Sequence, residues 1–166
     1  MYQNHPFPES IEIAKYIKNH TNKDDKIVVV GSEPQIYFYA NRRSATGYIY
    51  VYGLMENQDY ASKMRMEMIH EIEESHPKYA IYIYNPVSWF ANKQNLNMNT
   101  VMFKWASSFL EKDYRIVGII DHYANGYVAF WENDLHRYKP NSCFKIVVME
   151  HVDGKASNLT YPGTPY

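Results

Sequence analysis

Lys26-Ile27-Val28-Val29-Val30-Gly31-Ser32-Glu33-Pro34-Gln35-Ile36-Tyr37-Phe38-Tyr39-Ala40 is the stretch on which the reading of this chain turns. Four successive β-branched residues, Ile27 to Val30, show no polar alternation, so a strand here needs apolar cover on both faces. Such runs belong to parallel sheets. Gly31 ends the run, and Pro34 falls where a helix begins and its missing N–H costs nothing. Ser32 and Gln35 have the Ser-x-x-Gln spacing of a capping box. A short helix is expected up to Ala40, with Asn41 as its stop. A strand–glycine–helix turn is also where an open α/β sheet offers its crevice.

Outward from that turn, residues 9–20 are expected to form a helix with Ile13, Ala14 and Ile17 on one face. Tyr48-Ile49-Tyr50-Val51-Tyr52 alternates strictly and reads as a strand with three tyrosines on one side. Residues 58–75 carry a helical stripe of Ala61, Met64, Met68, Ile69 and Ile72, stopped by Pro77. A strand from Tyr79 to Tyr84 is broken by Asn85-Pro86. A helix over 98–111 is expected to turn Met98, Val101, Met102, Trp105 and Phe109 inward. Tyr114 to Ile120 is another apolar strand, and Asn125-Gly126 favours a hairpin into Tyr127 to Trp131. Phe144 to Met149 is the last strand.

This order predicts an α/β fold, a three-layer α/β/α arrangement with a mostly parallel central sheet and a C-terminal antiparallel hairpin. Residues 1–153 are expected to make one domain, followed by a loose tail over 154–166 that is rich in polar residues, proline and glycine.

Composition narrows the function. The 166 residues carry 17 Lys+Arg against 18 Asp+Glu, and that balance attracts neither a nucleic acid backbone nor an anionic membrane surface. The single cysteine, Cys143, excludes an internal disulfide and reads as a buried, inert thiol. No run approaches the ~20 apolar residues that span a bilayer, and the N-terminus lacks a signal-peptide pattern. Seventeen tyrosines are the unusual feature. Each has an apolar body and a polar tip, suited either to a core rim or to a half-wet contact with sugar, protein or headgroup.

Signatures of chemistry are sparse. The turn at Gly31 lacks both Gly-x-Gly-x-x-Gly and a Walker lysine, so no nucleotide is expected there and no cofactor is implied. Glu67 and His70 have a Glu-x-x-His spacing, but they face away from the apolar stripe and no second such helix accompanies them, so no metal is expected. Asp121-His122 reads as a turn rather than a dyad, since neighbours on a strand point apart. Asn19-His20-Thr21 and Asn158-Leu159-Thr160 have the form of glycosylation acceptors. Arg42 and Arg43 stand between the short helix and the tyrosine segment. They could fork onto an anionic or sugar-bearing group, or simply close the helix C-terminus.

The string from Asp25 through Gly31-Ser32-Glu33-Pro34-Gln35, Arg42-Arg43 and Tyr48-Ile49-Tyr50 resembles the soluble tail of bacterial dolichyl-phosphate-mannose–protein mannosyltransferase-like enzymes, membrane glycosyltransferases of the GT-C type. The match is strong over about residues 12–52. Beyond that, Pro77-Lys78-Tyr79 and the general layout agree. The resemblance implies an extracytoplasmic (periplasmic) accessory domain of a multi-pass enzyme that transfers a sugar from a polyprenyl-phosphate donor. Its partners would be the enzyme's own transmembrane domain and a lipid-linked sugar or acceptor, with no nucleic acid. The family's catalytic acids lie between early membrane spans, so no catalytic residue carries over. The expected contact residues are Glu33, Gln35, Arg42, Arg43, Tyr48 and Tyr50. The alternative is a free-standing α/β enzyme or small-molecule-binding protein.

Overall fold

The structure, a computed structural model, describes residues 7–90, 96–123 and 126–152. The β-branched run forms β1 (Lys26–Val30), whose four apolar residues are all buried. Before it comes α1 (Phe7–His20). After it come α2 (Gln35–Ala40), a two-residue β2 (Arg43–Ser44), α3 (Tyr52–Met55), α4 (Ala61–Ser75) and β3 (Tyr79–Tyr84). A 3-10 turn at Pro86–Trp89 precedes α5 (Leu96–Asp113), β4 (Tyr114–Tyr123) and β5 (Gly126–Trp131). A second 3-10 turn, Glu132–Arg137, leads to β6 (Lys145–His151).

The six strands form one mixed sheet in the order β2-β1-β3-β6-β4-β5. β1 pairs parallel with both β2 and β3, while β6 pairs antiparallel with β3 and β4, and β4 with β5 forms the expected hairpin. The sheet is therefore parallel at one end and antiparallel at the other, which corrects the expectation of a mostly parallel centre. β4 does run in the direction of β1 and β3, but β6 lies between it and β3. The cause is in the composition of β6. Lys145 through Met149 are all buried, and a strand apolar on both faces gains more in the middle of a sheet than at an edge.

Alternate strand residues feed two apolar clusters. Val28, Val30, Ala80, Tyr82 and Val147 join residues of α3, α4 and α5, whereas Ile27, Val29, Tyr79, Ile81 and Val148 join residues of α1 and α2. Because neighbours on a strand point to opposite faces, the two clusters lie on opposite sides of the sheet.

Several local readings are corrected. Residues 48–51 are irregular and Tyr52 opens α3, so the tyrosine alternation does not make a strand. Side-chain oxygens meet its backbone instead: the amide of Val51 donates to Ser32 Oγ at 3.3 Å, and that of Tyr48 to Thr46 Oγ1 at 3.1 Å. The capping box does not close either. Pro34 holds the N-cap position without a side-chain cap, and Gln35 Nε2 reaches away to Ser10 Oγ at 3.1 Å. Asn41 does stop the helix, in the left-handed conformation.

In α5 the buried stripe is Met102, Ala106 and Leu110, spaced by four, and Val101 is 48% exposed rather than inward. Trp105 and Phe109 are half-buried against the same cluster. Asp121 and His122 belong to β4 rather than to a turn, and Cys143 is exposed rather than buried. The side chain of Met98, Asn125 and the tail over 154–166 lie outside the described residues.

Candidate functional site

β1 and β3 are parallel neighbours, yet the chain leaves their carboxyl ends toward opposite faces. After β1 it enters α2, whose Ile36, Tyr37 and Ala40 join one cluster; after β3 it reaches Trp89 and then α5, which join the other. A crevice opens where adjacent connections diverge in this way. Here it is a cleft of about 200 Å³, lined by Ser32, Glu33, Pro34, Gln35, Tyr50, Tyr52, Asn85, Val87 and Ser88.

Gly31 permits the approach of the two loops. A Cβ at this position would lie 2.4 Å from Ile83 Cγ1 and 2.8 Å from Glu33 Oε2, so any larger residue forces β1 and β3 to shift. The floor is a short hydrogen-bonded chain. The amide of Ser32 donates to Ser88 Oγ at 2.8 Å, and Ser88 Oγ donates to Glu33 Oε2 at 2.7 Å. Burial pushes the Glu33 carboxyl up to about 7, with hydrogen bonds from Ser88 and Ser32 opposing the rise. Near neutrality this group can therefore either donate or accept.

The opposite rim is aromatic. Tyr52 donates its hydroxyl to the carbonyl of Val87 at 2.6 Å, which clasps the tyrosine segment to the loop after β3. The Tyr50 ring leans on Tyr52 with centroids 4.6 Å apart, and Tyr52 on Phe90 at 5.1 Å. Asn85 caps the 3-10 turn by accepting from the amide of Val87 at 3.1 Å. Burial, with Tyr50 as a neighbour, raises the Tyr52 phenol.

Of the residues expected from sequence, Glu33, Gln35 and Tyr50 come together in this cleft; Arg42, Arg43 and Tyr48 do not line it. Arg42 is engaged elsewhere. Its guanidinium donates to Thr21 Oγ1 at 2.7 Å and to the carbonyls of Thr21, Asn41, Lys18 and Ala40, tying the end of α1 to the end of α2. Arg43 sits exposed in β2 opposite Lys26, and Tyr48 donates to Glu67 Oε2 on α4 at 3.0 Å. No ion pair joins Glu33 to either arginine among the described residues.

Sequence reasoning missed Asn85, Ser88 and the Glu9–His122 pair. The break at Asn85-Pro86 was the available signal for the first two, since a strand end beside a glycine turn marks a crevice. His122 Nε2 lies 2.6 Å from Glu9 Oε1, while the adjacent Asp121 accepts from Tyr138, Asn141 and Ser142. Two neighbours on β4 thus serve different faces. A larger, open depression of about 500 Å³ lies beside β2, lined by Lys26, Ser44, Thr46, Glu71 and Glu74 among others. Glu71 there accepts from the amide of Gly47 at 2.9 Å and from Thr46 Oγ1, which occupies its carboxylate with loop backbone and hydroxyl.

Among the described residues no three His, Cys, Asp or Glu side chains gather to hold a metal ion. Likewise, no described helix is long and apolar enough to cross a membrane. Comparison with protein-family models, curated proteins and solved structures found no match.

Proposed function

We propose that this chain is the extracytoplasmic C-terminal domain of a bacterial integral-membrane glycosyltransferase that draws its sugar from a polyprenyl-phosphate donor. The domain itself binds rather than catalyses. On this reading it stands on the periplasmic side of the inner membrane, against the enzyme's own transmembrane domain and near a lipid-linked sugar or acceptor. The same reading takes the two apolar clusters as the flanks of a three-layer α/β/α domain.

The observation that carries it is one of place: Ser32 to Gln35 and Tyr50, which carry the resemblance, also line the cleft. The chemistry of the lining favours binding. It holds one carboxyl and no histidine, cysteine or lysine, whereas acid–base cleavage of a glycosidic bond uses two carboxyls about 5–10 Å apart. Ser88 is 3% exposed, which leaves its hydroxyl little access to a substrate.

Two measurements test the reading. The reading frame upstream of the Met1 codon should encode several apolar spans of about 20 residues each; a frame that opens at Met1 overturns the proposal. The purified chain should transfer no sugar from a polyprenyl-phosphate donor, and turnover by the chain alone removes the non-catalytic assignment.

A further inference from the structure

The cleft between the ends of β1 and β3 has a composition that selects among ligand chemistries. It has no cationic side chain among its lining residues, and Arg42 is committed to the far end of β1. A phosphate or carboxylate ligand would meet the Glu33 carboxyl with nothing to neutralise it, so anions are disfavoured. A quaternary or primary ammonium prefers rings that surround it. Here the aromatic lining residues are Tyr50 and Tyr52, adjacent rings 4.6 Å apart, too few for a cage.

What remains is a cleft that combines tyrosine rings with short polar groups. Asn85 Nδ2 and Gln35 Oε1 make no hydrogen bond to any described residue, and Glu33 lines the same cleft. Tyr50 is 48% exposed and so has free ring surface. A pyranose ring matches this arrangement. Its axial C–H bonds are weakly positive and sit against the negative face of an aromatic ring, while its edge presents hydroxyls that both donate and accept. A group balanced near neutrality by burial, as Glu33 is, answers such hydroxyls in either protonation state. The size agrees as well. Pockets for drug-sized ligands run about 300–1,000 Å³, so a cleft of about 200 Å³ admits one ring and not an oligosaccharide.

We infer that this cleft is a subsite for a single uncharged pyranose, stacked on Tyr50 and hydrogen-bonded by Glu33, Gln35 and Asn85. The inference deepens the proposed function and rests on it for biological context. It assigns the domain the glycosyl ring of a lipid-linked sugar or acceptor, and not the phosphate of the donor.

The test is an NMR titration of the purified 166-residue chain with the methyl glycosides of glucose, mannose, galactose and N-acetylglucosamine. Tetramethylammonium and inorganic phosphate are added in parallel. At least one glycoside should shift the side-chain signals of Gln35 and Asn85 and the ring signals of Tyr50. Tyr50→Ala should weaken that binding roughly three- to tenfold, as expected for loss of one stacking partner. Glu33→Leu removes both hydrogen-bonding roles at similar size and should weaken it by a comparable factor. Phe38→Ala, at an 80% exposed ring on α2 outside the cleft, should leave it unchanged. Melting temperature is followed for each variant so that lost binding is scored only on folded protein. No shift with any glycoside, equal binding by Tyr50→Ala, or shifts produced by phosphate or tetramethylammonium alone would each overturn the inference. These failures are separable from failure of the transferase reading, which is decided by the upstream reading frame. Glycoside binding by a protein that opens at Met1 keeps the subsite and removes the membrane enzyme.

Discussion

Ser88 Oγ stands between Ser32 and Glu33, accepting from the amide of the first at 2.8 Å and donating to the carboxyl of the second at 2.7 Å. One serine from the loop after β3 thereby fixes the loop after β1, and it does so in a place where Glu33 is 4% exposed. Burial without a cationic partner is why the Glu33 carboxyl is raised from 4.5 to about 7.

That shift sets a pH dependence of known sign. Between about 4.5 and 7 the folded chain holds a proton on Glu33 that the unfolded chain has lost, so stability falls as pH rises through this window. Above pH 7 the full cost, roughly 3 kcal/mol, is present; below 4.5 it is absent. Glu33→Gln should remove this slope and gain on the wild type by that amount between pH 4.5 and 8. Urea midpoints at both pH values measure it, and parallel wild-type and variant curves would contradict the assignment.

Gly31 should tolerate no side chain. Gly31→Ala drives a methyl group into Ile83 and Glu33 at 2.4 and 2.8 Å, an overpacking that costs about 1–3 kcal/mol. Gly47→Ala is the control, because its nearest neighbours, the Glu71 carboxylate oxygens, are 4.0 Å from the new Cβ. Thermal melts of the two variants should separate clearly; equal melts would place the tight contact elsewhere.

Arg42 should behave as a structural residue and Arg43 as a surface one. Arg42→Ala leaves the carbonyls of Lys18, Thr21 and Asn41 without their donor and is expected to cost about 1–3 kcal/mol. Lysine should not restore it, since one ammonium cannot span the fork of acceptors. Arg43→Ala should change stability by less than about 0.5 kcal/mol. In the membrane enzyme proposed above, loss of sugar transfer by Arg42→Ala with an unaltered melting temperature would show a contact role that its hydrogen bonds do not suggest.

Asp121 should anchor the connection into β6. It is fully buried and accepts from the Asn141 amide at 2.9 Å, Ser142 Oγ at 2.8 Å and the Tyr138 hydroxyl at 3.2 Å. Asp121→Ala leaves the Tyr138 hydroxyl and the Asn141 amide without this acceptor, while Ser142 keeps the Phe144 carbonyl, and should destabilise the chain by about 1–3 kcal/mol. Limited proteolysis should then cut within 138–144 first. Cleavage confined to other segments would mean the connection is held by other contacts.

Local chemistry made much of this protein legible in its sequence. A β-branched run such as 27–30, a four-residue apolar spacing such as 68–72 and an Asn-Gly step each bias the few residues around them, so β1, β3, β4, α1, α4 and the β4–β5 hairpin are found near the positions expected. That Glu33 and Gln35 lie beside a cleft was legible because a strand–glycine–helix turn in an open α/β sheet sits where a crevice forms. The tyrosine alternation misled because period two reports which way side chains would point in a strand, not whether a neighbouring strand exists to accept its hydrogen bonds. At 48–52 the amides of Tyr48 and Val51 find Thr46 and Ser32 as acceptors, neither of which the pattern encodes. The place of β6 between β3 and β4, the reach of Ser88 to Glu33, and the pairing of Glu9 with His122 join residues 55 and 113 positions apart or pair strands across the chain. No local preference carries such information. These pairings are chosen by which arrangement buries the apolar faces and satisfies the buried polar groups of the whole domain together, and that choice exists only once the chain has folded.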